Sequence, residues 1–274
     1  MERTVLITGC SSGIGRASAE AFLDEEWTVY ATARNTADIE TLGEREGCRI
    51  ATLDVTDGDD VERVVDRMLD EEGRIDCLVN NAGYGQLGPV EDVSSDAVRE
   101  QFDVNVFGPH RLIKAVLPAM RRREDGTIVN VSSVLGRIAV PGTGVYSGSK
   151  FAMEGMSDAL RNEVREYGID VALIEPGPVD SMFEDRVESE LGGLDRSGAY
   201  ESFYSLYEDY DAVGGGGVGA IAPEEVAADV VNAASSTEPA ARYPVGPIAK
   251  AGELGRYLPT WLADGVWSLA KKLG

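Results

Sequence analysis

Tyr146 and Lys150 stand four residues apart in the string Tyr146-Ser147-Gly148-Ser149-Lys150. On a helix that spacing puts a phenol and an ammonium on one face, about one turn apart. A cation beside a phenol lowers its pKa from about 10 toward working pH. A phenol tuned in this way donates a proton to a carbonyl under reduction, or takes one from an alcohol under oxidation. Taken alone, such a pair is more often just two residues on a helix surface. Its meaning rests on what else the chain brings to it.

Thr8-Gly9-Cys10-Ser11-Ser12-Gly13-Ile14-Gly15 follows a short β-branched run, Thr4 to Thr8, and precedes a helical stretch from Ile14 to Glu25. Gly9, Gly13 and Gly15 permit a tight turn and close backbone approach, and the helix then aims its first amides at a pyrophosphate. The next strand ends Ala31-Thr32-Ala33-Arg34-Asn35. An NAD site carries an acidic residue here, about 20 residues beyond the glycines. This chain has a guanidinium instead. Arg34 can pair with a 2′-phosphate while Ser11 or Ser12 donates hydrogen bonds to it, which favours NADP, with NAD as the second choice. The competing reading leaves Arg34 as a solvated charge and bends Asp38 back to the ribose. Three further strings bear on Tyr146. Ser133 lies thirteen residues before it at a strand end, Asn80-Asn81-Ala82-Gly83 follows the strand Ile75 to Val79, and Asp103-Val104-Asn105-Val106 enters the helix between them. Ser132 competes with Ser133 for the same role. These strand ends converge on the carboxyl edge of a sheet, where open α/β folds bind ligands.

Strands and helices alternate along the frame that must hold these residues. Strands are expected at Thr4–Thr8, Trp27–Thr32, Arg49–Leu53, Ile75–Val79, Gly126–Val131 and Asp170–Ile174. Helices are expected at Ile14–Glu25, Val61–Glu71, Phe107–Arg122 and Phe151–Tyr167. Val61, Val64, Val65 and Met68 recur at helical spacing. Apolar strands between helices indicate a parallel sheet covered on both faces, a doubly wound α/β architecture. Residues 182 to 220 are acidic and aromatic and end in Gly214 to Gly217. They read as a helical substrate lid hinged on glycine. Residues 254 to 273 read as a C-terminal amphipathic helix, packed on the body or on another subunit rather than on a membrane surface. The whole chain, 1–274, is expected to be one domain.

With 43% hydrophobic and 27% charged residues, the 274-residue chain has ample material for a core. Its 48 acidic residues outnumber 25 basic ones, a net charge of -23, which repels nucleic acid and anionic membrane. It also repels itself. Molar salt would screen that repulsion, since the Debye length falls to about 3 Å at 1 M; a halophile's salt-filled cytoplasm is the setting this implies. Cys10, Cys48 and Cys77 form no CxxC pair, which argues against disulfides and zinc. The single His110 argues against a metal cluster and a histidine-based triad. Val5 to Thr8 is too short for a secretory h-region, and no run approaches a membrane span, so a cytoplasmic location is expected.

In motifs, order and spacing the chain resembles the short-chain dehydrogenase/reductase family, in its single-domain branch. The matching strings are TGxxxGxG at Thr8 to Gly15, NNAG at Asn80 to Gly83, Asn105, Ser133, YxxxK at Tyr146 to Lys150, and Pro176-Gly177. The resemblance implies a Rossmann-type fold and hydride transfer between NADP and a carbonyl or secondary alcohol. It makes Tyr146 the general acid/base, Lys150 the group that tunes it and holds the nicotinamide ribose, Ser133 the substrate-oxygen donor, and Asn105 the residue that positions a relay water. Asp54 and Val55 would contact adenine; Asn81, Ala82 and Gly83 would line the ribose. Pro176, Gly177, Val179 and Ser181 match the stretch that holds the carboxamide, with Ser181 where the family usually has Thr. The loop and strand style resembles hydroxysteroid and retinol dehydrogenases, which implies an apolar ketone, aldehyde or alcohol. Family members pair as homodimers or homotetramers through the helices following Asn105 and Tyr146. Here the face Ala152, Met156, Ala159, Leu160 and Val164 is apolar enough to serve. Rival readings are a non-catalytic NADP(H)-binding sensor or scaffold, and an epimerase or lyase with transient cofactor use.

Overall fold

Runs such as Val5-Leu6-Ile7 and Leu78-Val79 offer no polar face, so each strand must be covered on both sides. The computed structural model describes residues 3–180, 191, 193–201, 203–204, 219–255, 257 and 259–262. Strands β1 (Thr4–Ile7), β2 (Thr28–Ala33), β3 (Cys48–Thr52), β4 (Cys77–Asn80), β5 (Gly126–Val131), β6 (Ile169–Pro176) and β7 (Arg242–Val245) form a parallel sheet in the order β3-β2-β1-β4-β5-β6-β7. Successive side chains serve opposite cores. Val5, Ile7, Val29, Val79 and Val129 feed one, whereas Leu6, Tyr30, Leu78 and Ile128 feed the other.

Helices α1 (Gly13–Asp24), α2 (Glu40–Gly43), α3 (Gly58–Glu72), α4 (Ser95–Phe102), α5 (Gly108–Arg123), α6 (Gly144–Val164), α7 (Pro223–Ser235) and α8 (Pro247–Gly255) supply the cover. The first core is closed by Ala19 and Phe22 of α1 with Val226, Val230 and Ala233 of α7. The second is closed by Val61, Val64, Val65 and Met68 of α3 with Leu112, Val116 and Met120 of α5. The α3 stripe is the one expected from spacing. Its N-terminus is capped by the Asp57 carboxylate, and Gly73 ends it in the left-handed region.

The expected strands are all present, with ends shifted by one or two residues. Nothing in the pattern assigned 223–255, where α7, β7 and α8 lie. β7 is an edge strand of four residues containing Pro244, and its side chains are mostly half-buried, so it lacks the apolar signature of the inner strands. Helix α6 begins at Gly144 rather than Phe151, so Tyr146 and Lys150 lie within its first two turns. Among the described residues no helix is long and apolar enough to cross a membrane.

Most of the stretch 182–220 expected to form a lid lies outside the described residues. Within it, Leu191 and Tyr204 are buried against Leu87 and Tyr146. The Tyr204 hydroxyl donates to Asp92 Oδ2 at 2.7 Å, and that of Tyr200 to Glu91 Oε2 at 2.6 Å. The expected helix 254–273 is likewise mostly outside the described residues; α8 ends at Gly255, and Tyr257 and Trp261 are exposed.

After β1 the chain winds out to β2 and β3, then returns to place β4 on the other edge of β1. The loops leaving β1 and β4 therefore part, and a cleft opens between them. The Thr8 hydroxyl bridges the parting: it accepts from the main-chain N–H of Asn81 and of Ala82, both at 3.0 Å. Asn81 Nδ2 in turn donates to the carbonyls of Thr8 and Gly9, at 2.9 and 3.1 Å. Gly9 has φ +73, and a Cβ at Gly15 would overlap Gly9 O and Asn81 Nδ2. Thr8→Val keeps the shape but strands two backbone donors. Urea unfolding should show a loss of about 1–3 kcal/mol with an unchanged m-value.

Candidate active site

β5 delivers Ser132 and Ser133 to the carboxyl edge. Ser133 stands in extended backbone and caps the short 3₁₀ turn Val134–Gly136, its Oγ accepting from Leu135 N at 3.1 Å. Its hydroxyl also hydrogen-bonds the Tyr146 phenol. Ser132 Oγ has no hydrogen-bond partner. The pairing therefore selects Ser133 over Ser132 as the hydroxyl that works with Tyr146. One turn along α6, Lys150 Nζ lies 5.8 Å from the centre of the Tyr146 ring and donates to Val131 O at 2.8 Å. Tyr146, Lys150 and Ser133 are all buried.

Asn105 reaches the site through a π-helical turn, Asp103–Phe107, inserted between α4 and α5. Its Oδ1 accepts from Tyr84 N at 3.2 Å; its Nδ2 donates to Tyr84 O at 2.9 Å and to Ser149 Oγ at 3.2 Å. This amide ties the loop after β4 to α6.

Burial controls the electrostatics. It pushes the Tyr146 phenol up to about 12, with the Ser133 hydrogen bond pulling the other way. It pulls Lys150 down from 10.5 to about 8, opposed by the charge of Glu154. The sequence expectation has the Lys150 ammonium and a positive nicotinamide ring together lowering the phenol; without the cofactor, burial sets its direction, and the ammonium is bonded to the Val131 carbonyl.

A cleft of about 530 Å³ runs from this group across the parting of β1 and β4. Of the residues expected to bind cofactor, Gly9, Ser11, Ser12, Gly13, Ile14, Arg34, Asp54, Val55, Asn81, Ala82, Gly83, Tyr146 and Lys150 line it. Gly15 packs behind it instead. Pro176, Gly177 and Val179 lie at the β6–β7 side, where Gly177 N donates to Val245 O and Val179 bridges Ile221. Ser181 lies outside the described residues. Asp38, the alternative ribose partner, accepts from Asn35 at 3.4 Å and does not line the cleft. Sequence reasoning missed Thr56, Tyr84, Glu100 and Asp103. The first two directly follow motif residues, a usable signal; the acidic pair arrives only through the packing of α4 and the π turn.

The cleft suits a dinucleotide. Ser12, at the N-cap of α1, makes no side-chain capping bond, so the amides of the first turn are open to an anion. The bare glycine edge admits a pyrophosphate, and Arg34 lines the same cleft.

The family model described as short chain dehydrogenase matches residues 3–192. The chain is 35% identical to 3-ketodihydrosphingosine reductase of Bacteroides thetaiotaomicron, over 98% of this chain and 96% of that protein. It is 39% identical to human retinol dehydrogenase 8, over 88% of this chain and 80% of that protein. The fold matches a short-chain dehydrogenase from Streptomyces avermitilis with a TM-score of 0.82 and 32% identity, covering 99% and 98% of the two chains. The chain belongs to the short-chain dehydrogenase family and is an oxidoreductase that works with a nicotinamide cofactor.

The buried ammonium has a measurable consequence. Folded Lys150 sheds its proton near pH 8, whereas the unfolded lysine keeps it to about 10.5. Between those values the unfolded state binds more protons, so this residue's share of stability rises with pH. Lys150→Met should therefore stabilise the protein at pH 7 by about 1–3 kcal/mol, and the gain should shrink as pH rises from 8 toward 10.5. Melting curves of both proteins across that range check it.

Proposed function

We propose that this enzyme prefers NADP and interconverts an apolar ketone or aldehyde with its alcohol, Tyr146 acting as general acid/base. The observation that carries the reading is the hydrogen bond between the Ser133 hydroxyl and the Tyr146 phenol, beside Lys150 at the inner end of the dinucleotide cleft. A bound nicotinamide would supply or accept the hydride. Ser133 and Tyr146 together hold the substrate oxygen, where negative charge develops during reduction. Tyr146 gives that oxygen its proton in reduction and removes it in oxidation. Lys150 keeps two of its three N–H donors for the nicotinamide ribose and favours the phenolate by its charge. Asn105 holds Tyr84 and Ser149 in register, and its main chain is available to position a relay water.

NADP preference is supported by Arg34, which lines the cleft, and by Asp38, which does not. A serine dehydrogenase of 26% identity is a complex with NADP+, while a Burkholderia phymatum relative of 25% identity is a complex with NAD. Apolar substrate is supported by Leu87, Leu191 and Tyr204 packed around Tyr146, and by relatives named for retinol and 3-ketodihydrosphingosine. The segment 182–220 would be the lid that closes over it within a single domain. The α5–α6 groove, about 380 Å³ and lined by Ile113, Leu117, Met156 and Leu160, supports a homodimer or homotetramer. The net charge of -23 supports a salt-rich cytoplasm.

The test is oxidation of NADPH and of NADH at 340 nm, with and without molar KCl, across aldehydes, ketones and long-chain carbonyls. Turnover with an apolar carbonyl, higher in KCl and with NADPH, is the expected result. NADPH binding without turnover across the panel would favour the sensor reading. Tyr146→Phe should lose at least about 100-fold in kcat while NADPH affinity stays within a few-fold, because only the transferable proton is removed. Arg34→Asp should move the NADPH:NADH preference by about tenfold or more toward NADH, read as the ratio of kcat/KM values.

A further inference from the structure

The apolar cluster beside Tyr146 takes side chains from three parts of the chain. Leu87, Leu191 and Tyr204 share it with Tyr146, and Leu135, two residues beyond Ser133, packs against it. If Ser133 and Tyr146 hold a carbonyl oxygen, the carbon skeleton behind that carbonyl must lie among these side chains. Leu87 and Leu191 offer packing alone. Tyr204 is different, because polar contacts fix where its ring stands.

Gly88 and Gly142 seat the segment that carries it. The N–H of Gly88 donates to the Gly142 carbonyl at 2.8 Å, joining the loop after β4 to the residues that lead into α6. Both glycines have positive φ, +136 and +81. A Cβ at Gly142 would lie 2.1 Å from Phe203 Cε2 and Cζ, and one at Gly88 2.5 Å from Leu194 Cδ1. The seat therefore requires glycine at both points, for backbone conformation and for room.

On this seat Tyr204 is held from three directions. Its hydroxyl donates to Asp92 Oδ2 at 2.7 Å, and both residues are buried. The Phe203 ring meets its ring edge to face, with centres 5.4 Å apart, and the Arg196 guanidinium lies 4.1 Å from its centre. Asp92 is itself fixed by a turn, its N–H donating to Pro89 O at 3.0 Å. Tyr200, bonded to Glu91, doubles the tether. The Tyr204 ring cannot swing away without stranding a buried hydroxyl, which is costly.

We propose that Tyr204 is a specificity-determining residue for the carbonyl substrate, its ring held by Asp92 as a fixed wall of the chamber at Tyr146, with Gly88 and Gly142 as the seat that sets its place. The role rests on the function proposed above. A fixed aromatic wall in one buried cluster with Tyr146 favours slender, unbranched carbonyl chains over fused-ring ketones.

The test compares 2-decanone with 2-decalone, ketones of equal carbon count, as the ratio of their kcat/KM values at saturating NADPH. Tyr204→Ala should move that ratio about tenfold or more toward 2-decalone, the scale of a reshaped apolar pocket, with KM for NADPH unchanged. Tyr204→Phe and Asp92→Val keep the ring but release it, so each should move the ratio the same way by less. Their double variant should go no further than either alone. Asp92→Asn keeps an acceptor and should keep the wild-type ratio. An unmoved ratio in folded Tyr204→Ala, or a shift in Asp92→Asn as large as in Asp92→Val, overturns the proposal. Where Tyr204→Ala does not fold, Tyr204→Leu decides it by the same reading. Absence of turnover of both ketones in the wild type would count against the function proposed above. Photolabelling then decides the wall, with a straight-chain 2-ketone carrying a diazirine, irradiated with the enzyme and NADP+ and mapped by mass spectrometry. Label on Tyr204, reduced in Asp92→Val, is the expected result, and label that avoids Tyr204 overturns the proposal.

Discussion

A parallel sheet that reverses its winding between β1 and β4 must leave two neighbouring loops going separate ways, and both carry backbone donors that burial will not forgive. The Thr8 hydroxyl and the Asn81 amide answer that constraint with four hydrogen bonds across the gap. Everything on the cleft side depends on this clasp. It sets the path of the glycine turn, which sets the start of α1 and therefore where its amides point. It also aims the strand from Asn81 to Tyr84 at Asn105, which carries the same register across to α6 through Ser149. The cleft and the Tyr146–Lys150 group are thus parts of one hydrogen-bonded frame.

The second constraint is dielectric. Tyr146 and Lys150 lie where water is excluded, and exclusion disfavours both charged forms, pushing the phenol up to about 12 and the ammonium down to about 8. A site that binds a cofactor can accept this, because the charge of an oxidised nicotinamide favours the phenolate when it is bound. Nearby, Glu154, Glu175, Arg137 and Arg242 form a buried set of opposed charges between α6, β6 and β7. Such clusters are poor sources of stability.

Beside Tyr146 lies an apolar cluster that Leu87, Leu191 and Tyr204 share. Leu191 and Tyr204 close on Tyr146, and tyrosine hydroxyls tie that segment to Glu91 and Asp92 on the loop after β4. The same loop thus carries cofactor-side residues at one end and the lid's anchors at the other.

Much of this was legible from the chain alone. The alternation of apolar strands with helices, the glycine spacing before α1, and the four-residue step from Tyr146 to Lys150 are local patterns, and local geometry follows from them directly. So the doubly wound sheet, the α3 stripe and the glycine turn follow from spacing, whereas Asp54, Val55, Asn81, Ala82 and Gly83 entered the expected lining through the family resemblance. Tertiary structure alone decided the rest. It decided that Ser133 rather than Ser132 meets Tyr146, that burial pushes the phenol's pKa up, and that Pro176, Gly177 and Val179 lie toward β7. It also decided that Arg242, on an unremarkable edge strand, faces carboxylates on α6 and β6 some seventy to ninety residues earlier in the chain. Spacing specifies which face of an element a residue occupies. Which charges end up opposite it, and how little water they share, depends on how distant elements pack.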